Sequence, residues 1–438
     1  LKYNDSKQIK INPDRYFMQE ISTKDKNILR ELAKKKKELA ASPAISKLRS
    51  EWKLHGDFNK ASRPMVLIEA GTFENDYLPQ MLECEGETAR SLEKELLRET
   101  VNHTHFGDDT IVKDYIPVTP NISFVPFNIE VKKEHASYEN GTASLGHHFV
   151  PAISDLEKDF YKLGKSKFTL DKNSIQKDIN IRNDVYGDIL TVKQTGFSLY
   201  CCLTQDIVHI MDMENMYSEM CINPELFNMM MTNLTDDYLE LYRLLETEGA
   251  LLPTYDECHL SQGSYCFNNE LPRELPKTGT TLKTNEIWGY MDSQEAAGIS
   301  PEMFMELVAP HYKRIIEKFG LLSYGCCEKV DPVWDSFLSK LGNLRKVSIS
   351  PWADESFMGE RLRNKNIVYM RKPTPNLLGV GANLDEQAAE KHIMKTIDAA
   401  KGCWLEIIQR DVYKLNNTTD KVKKYVDIVR RCCDKHIN

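Results

Sequence analysis

The feature that most constrains this chain is a short apolar run that keeps returning. Residues 65–69 read MVLIE, and similar runs follow at 109–116, 197–203, 249–254, 320–325, 345–350, 366–370 and 403–408. Runs this short and this continuously apolar suit strands buried on both faces. Amphipathic helical segments stand between most of them, and that alternation predicts a parallel sheet. Eight such strands predict an α/β fold of the (β/α)8, or TIM, barrel type.

The helices carry their own punctuation. Asn223-Pro224 opens one whose apolar face runs Phe227, Met230, Met231, Leu234, Tyr238, Leu241 and Leu245, closed by Gly249. Ser300-Pro301-Glu302 opens another, and the last helix turns Val422, Val426, Val429, Cys432 and Cys433 inward. Met229–Met231 reads as core packing at helical spacing. Residues 1–60 are helical and charged, an extension preceding a barrel that occupies 61–438. Residues 121–195 and 256–285 break the rhythm and read as loop insertions over one end of the barrel, the second near its mouth.

Composition removes several function classes. The net charge of -8 disfavours nonspecific nucleic-acid binding, and the run Lys34–Lys37 reads as a solvated helix face. No apolar stretch approaches the roughly 20 residues that span a bilayer, and the first residues lack a signal-peptide core. The expectation is a cytoplasmic protein without a membrane partner. Three adjacent pairs among the eleven cysteines (Cys201–Cys202, Cys326–Cys327, Cys432–Cys433) argue for a reducing compartment over a disulfide framework.

Active sites of parallel barrels lie at the carboxyl ends of the strands, so polar residues just after each apolar run are the candidates. They are Glu69; Asp256 to His259; Tyr324 to Glu328; Trp352 and Asp354; Arg371 and Lys372; Gln409 and Asp411. Asp292, Gln294 and Glu295 join if residues 286–291 prolong the fourth strand. The densest group, Tyr324-Gly325-Cys326-Cys327-Glu328, offers two thiols and a carboxylate, a donor set that selects zinc. Strand alternation sends only one of the two thiols inward unless the chain turns there, and a small buried hydrophobe is the plain alternative. Blander readings hold elsewhere. Gly107-Asp108-Asp109 is a turn followed by a solvent-facing acid, and His147 and His148 serve the surface. Gly379-Val380-Gly381 is too short for a phosphate loop. Arg371 and Lys372 either bind an anionic substrate or pair with Glu406 and Asp411.

Residues 299–331, with their Ser-Pro-x-x-Phe helix start and a following strand that ends in Tyr324-Gly325-Cys326, resemble the uroporphyrinogen decarboxylase superfamily. Residues 213–225, ending in Asn-Pro-Glu, are similar to its approach to the next helix. The resemblance spans about residues 60–435. It favours the branch of zinc- and corrinoid-dependent methyltransferases, in which this strand ends in His-x-Cys. Here Tyr324 takes the His position and Cys326 the Cys position, and the last strand carries Gln409 and Asp411 where that branch has a third ligand. The resemblance implies a metal set drawn from Cys326, Cys327, Glu328, Asp292, Glu295 and His259. It implies Glu328 and Asp411 as catalytic groups, with Glu69, Trp288, Tyr324, Trp352, Arg371 and Lys372 around the substrate. The implied reaction moves a methyl group from a small methylated ether, amine or thioether to cobalamin on a separate small corrinoid protein; a homodimer is left open. Porphyrin chemistry is disfavoured, because residues 68–74 present two acids and no arginine to match a polyanion. The rival is a metal-independent lyase or decarboxylase of a small carboxylated substrate, and the non-enzyme alternative is a binding barrel.

Overall fold

The computed structural model describes residues 20–137, 144–276, 280–416 and 419–437. Its centre is a seven-stranded parallel sheet. The strands that matter for the site are β1 (Met65–Ile68), β2 (Leu199–Cys201), β3 (His259–Ser261), β4 (Ser264–Tyr265), β5 (Trp288–Met291), β6 (Leu321–Tyr324), β7 (Leu344–Ile349), β8 (Val368–Arg371) and β9 (Trp404–Gln409). Seven of them run in the order β1-β9-β8-β7-β6-β5-β2. The first strand therefore pairs with the last, and the others follow in chain order without the reversal of a doubly wound sheet. The sheet is not closed by hydrogen bonds: β1 and β2 are its edges among the described residues.

Eight strands were expected, and two of the apolar runs stay out of the sheet. Residues 109–114 lie along the free edge of β1 as irregular backbone. Two carboxylates do the work of a strand there: Val66 N donates to Asp109 Oδ2 and Ile68 N to Asp108 Oδ2, each at 2.7 Å. A ladder cannot form where side chains already satisfy the edge amides. Asp108 and Asp109 are thus buried caps, 4% and 1% exposed, and not the solvent-facing turn acids expected. Asp109 also binds Arg63 at 2.7 and 2.9 Å and Arg430 at 2.9 Å. The run 249–254 fails for another reason. Pro253 lacks a donor, and the Thr254 hydroxyl instead accepts Trp288 N at 2.8 Å, handing the strand position to β5.

Alternation divides the sheet's side chains cleanly. Val66, Ile68, Tyr369, Leu405 and Ile407 join the large core under the helices. Met65, Leu67, Val368, Met370 and Ile408 point the other way, into a second core with Trp52, Tyr265 and Phe267. Trp52 comes from the helix Pro43–Gly56, so the N-terminal extension contributes a plug to the sheet's concave side. The run Lys34–Lys37 is not wholly solvated: Lys36 is buried, its Nζ donating to the carbonyls of Lys113 and Tyr115 at 2.6 Å.

The β3–β4 hairpin lies inside this concave face, which corrects its expected place as a loop over the mouth. Ser264 Oγ donates to Glu406 Oε2 at 2.7 Å, and Lys346 Nζ donates to Ser264 Oγ at 2.7 Å and to Glu406 Oε1 at 2.6 Å. Gly263 has φ +80°, and a Cβ there would stand 3.0 Å from Ile408 Cγ2, so the tip admits little but glycine. Burying Tyr265 against β1, β8 and β9 is worth about 3–5 kcal/mol by the cost of aromatic truncation.

The described residues of the stretch 121–195 are more ordered than expected. They hold the helix Lys172–Tyr186 and strands that form small separate sheets. His148 is exposed near Glu134, at 3.4 Å, and the side chain of His147 lies outside the described residues. The methionine triplet splits, with Met230 and Met231 in the core and Met229 exposed. Among the described residues no helix is long and apolar enough to cross a membrane.

Candidate functional site

Inward parity and position at a carboxyl end, with a turn at Gly325 after β6, together select one cluster. Tyr200 and Cys202 follow from β2, Tyr290 and Asp292 from β5, Cys326 from β6, Lys372 from β8, Arg410 from β9 and Glu69 from β1. The hairpin tip adds Gln262 from within. Two halves result, one acidic and one cationic.

In the acidic half, Tyr290 stacks on Tyr200 with centroids 5.1 Å apart and donates its hydroxyl proton to Asp292 Oδ2 at 2.5 Å. Cys202 Sγ lies 3.4 Å from Glu295 Oε2, which also accepts Thr204 Oγ1 at 2.9 Å. Gln205 and Gln294 Nε2 donate to Glu295 Oε1 at 3.3 and 3.0 Å. Cys202, Asp292 and Glu295 each offer a ligand atom within 4.8 Å of the others. Burial, then the neighbouring Asp292 charge, raises both the Glu295 carboxyl and the Cys202 thiol above their ordinary ranges. A cation among them would reverse that repulsion.

Glu328 bridges the ends of β5 and β6. Its two oxygens accept Ser293 N at 2.9 Å and Cys326 N at 2.8 Å. Burial first, and then Asp292, pushes its carboxyl up to about 8. With both oxygens engaged by backbone amides, it holds the loop rather than facing a ligand.

The chain turns at Gly325, whose φ of +97° breaks strand alternation. A Cβ there would meet Val330 Cγ1 at 3.2 Å and Ser348 Cβ at 3.3 Å. Both thiols consequently face the same cluster, 3.6 Å apart. Cys326 Sγ receives Gln262 Nε2 at 3.4 Å and Arg410 Nη1 at 3.7 Å, and Cys327 Sγ lies 3.7 Å from Asp411 Oδ2. Arg410 also binds Glu69 Oε2 at 3.0 Å and Asp411 Oδ1 at 3.4 Å. Lys372 Nζ donates to the Gln262 carbonyl at 2.7 Å. Burial, then the Arg410 charge, lowers its ammonium to about 7, against the opposing pull of Glu69, Glu406 and Cys326.

Of the thirteen residues to which the resemblance gives a role, eight are therefore gathered here: Glu69, Asp292, Glu295, Cys326, Cys327, Glu328, Lys372 and Asp411. Five are not. Trp288 begins β5 at the opposite end, its Nε1 bonded to the Cys266 carbonyl at 3.1 Å. His259 begins β3 and stacks on Tyr265 at 5.4 Å, a hairpin's length from the tip. Tyr324 and Arg371 have the outward parity. Tyr324 packs edge-on against Tyr312 and Phe337 and meets the site only from behind, its hydroxyl 2.7 Å from Ser293 Oγ. Arg371 binds Glu355 at 3.0 Å and the Ser350 carbonyl at 2.6 Å, and so pairs with neither Glu406 nor Asp411. Trp352 stands 67% exposed after β7. Sequence reasoning missed Cys202, Tyr290 and Arg410, although counting every second residue along their strands selects all three. Gln262 had no such signal, because only the interior hairpin brings it in.

No protein-family model and no curated protein matches this chain. Among solved structures it is similar to a methyltransferase from Methanosarcina mazei, at 11% identity and a TM-score of 0.46, over 89% of this chain and 99% of the other. Likeness at that level leaves chemistry to be argued from the residues themselves.

Proposed function

We propose that this chain is an enzyme that takes a methyl group from a small methylated substrate, with zinc held by Cys202, Asp292 and Glu295. The observation that carries the reading is the convergence of those three ligand atoms within 4.8 Å at the carboxyl ends of adjacent parallel strands. One sulfur and two carboxylate oxygens suit zinc, and three protein ligands leave the fourth position for substrate. When bound, the metal supplies Lewis acidity to the substrate's heteroatom. The chain's own residues do the rest. Tyr290, Thr204, Gln205 and Gln294 fix the carboxylates by hydrogen bonds, as groups behind metal ligands do. Lys372, lowered to about 7, holds a proton near neutrality for the departing heteroatom. Cobalamin on a small corrinoid protein is the methyl acceptor in this reading, which rests there on the sequence resemblance, as does a closed (β/α)8 barrel.

Elemental analysis should find about one zinc per chain, and Asp292→Asn should lower that content severalfold. Protein that transfers methyl groups at full rate without metal would refute the proposal. That result would favour a metal-independent lyase acting on a carboxylate, a reading supported by the adjacency of Lys372 and Arg410.

A further inference from the structure

Gln262 sits where the two halves of the site meet, at the tip of the β3–β4 hairpin. Ser261, Gln262 and Gly263 have φ of +91°, +54° and +80°, three left-handed residues in succession. Two of them carry side chains, for which that region is unfavourable, and such strain gathers at functional sites. The tip is held in place by the Lys372 ammonium on the Gln262 carbonyl at 2.7 Å.

The orientation of the Gln262 amide follows from its neighbours. Tyr290 commits its only proton to Asp292 Oδ2, so toward Gln262 its oxygen can only accept. The group facing it, at 2.6 Å, is therefore the NH2. The same nitrogen donates to Cys326 Sγ at 3.4 Å. The carbonyl oxygen Oε1 is left over. Gln262 is 4% exposed, and its Oε1 has no hydrogen-bond partner among the described residues. A buried acceptor without a donor is uncommon enough to require one.

We infer that Gln262 Oε1 reads a hydrogen-bond donor on the bound substrate, which makes Gln262 a specificity-determining residue. This rests on the methyl-transfer reading and narrows it. Of an ether, a thioether and an amine, only the amine carries hydrogen on the atom that bears the methyl group. The substrate class that fits is an N-methylated amine with at least one N–H. A site that hydrogen-bonds such a group discriminates strongly against analogues without it, because the acceptor would then stay buried and unpaired.

The test is a ligand-observed NMR titration of the zinc-loaded full chain with dimethylamine and dimethyl sulfide, probes of similar size that differ in the donor. Wild type should bind dimethylamine about tenfold or more tightly than dimethyl sulfide. Gln262→Met should abolish that preference by weakening the amine alone, with zinc content unchanged. Gln262→Glu retains an acceptor and should retain the preference. An amine preference that survives in Gln262→Met overturns the inference. So does equal affinity of wild type for both probes, which decides the matter even if the Met variant does not fold. Zinc content separates the two claims: sulfide binding by a zinc-replete chain without amine preference leaves the methyl-transfer reading standing, whereas a metal-free chain that binds neither probe removes both.

Discussion

Arg371 and Lys372 are adjacent, both cationic and both buried, yet they belong to different regions of the molecule. Arg371 faces the helix layer, where Glu355, Thr396 and two backbone carbonyls satisfy its guanidinium. Lys372 faces the concave side, where its partner is the Gln262 carbonyl and its nearest strong charge is the repelling Arg410. One cation completes the scaffold; the other is held ready to lose its charge. A single step in strand parity separates the two roles.

Breaking the scaffold side should have the largest effect. Arg371→Met leaves the Glu355 carboxylate buried without its main cation, which costs about 3–5 kcal/mol. Thermal melting should show a large fall in Tm, while the folded fraction keeps its metal.

The site side should respond to pH instead. The folded-state pKa of Lys372 is depressed from 10.5 to about 7, so between those values the unfolded chain binds the extra proton. Stability should therefore rise with pH from about 7 to about 10.5 relative to a Lys372→Met control, by up to about 5 kcal/mol if the whole shift is expressed. Below pH 7 the difference should be constant. Chemical denaturation of both proteins across that range checks the slope, and parallel curves would place the lysine in solvent. The smallest effect belongs to Trp352, whose 67% exposure puts it outside both regions. Trp352→Ala should change stability by no more than about 0.5 kcal/mol and leave metal content alone.

Local sequence made much of this legible. Six of the eight apolar runs became strands of the main sheet, and Asp292 and Glu295 follow β5, which enters the sequence reading only as a conditional extension of the fourth run. Contacts distant in sequence hid the rest. Asp108 and Asp109 look like turn acids until they meet the edge of β1, some 40 residues away. The hairpin's residence on the concave side depends on Ser264 meeting Glu406, 142 residues on. Trp288 and Tyr324 were misplaced for simpler reasons: one begins its strand rather than ending it, and the other has the wrong parity. The Cys326–Cys327 pair drew attention as the evident soft site, while Cys202, buried in an apolar run, carries the better carboxylate company.

Cobalt(II) substitution separates the two thiol groups directly. Thiolate ligation gives a sulfur-to-metal charge-transfer band in the near ultraviolet. This band should appear on loading wild type, be lost in Cys202→Ser and persist in Cys326→Ser combined with Cys327→Ser. A band that survives Cys202→Ser and vanishes with the vicinal pair would contradict the assignment of the metal to Cys202.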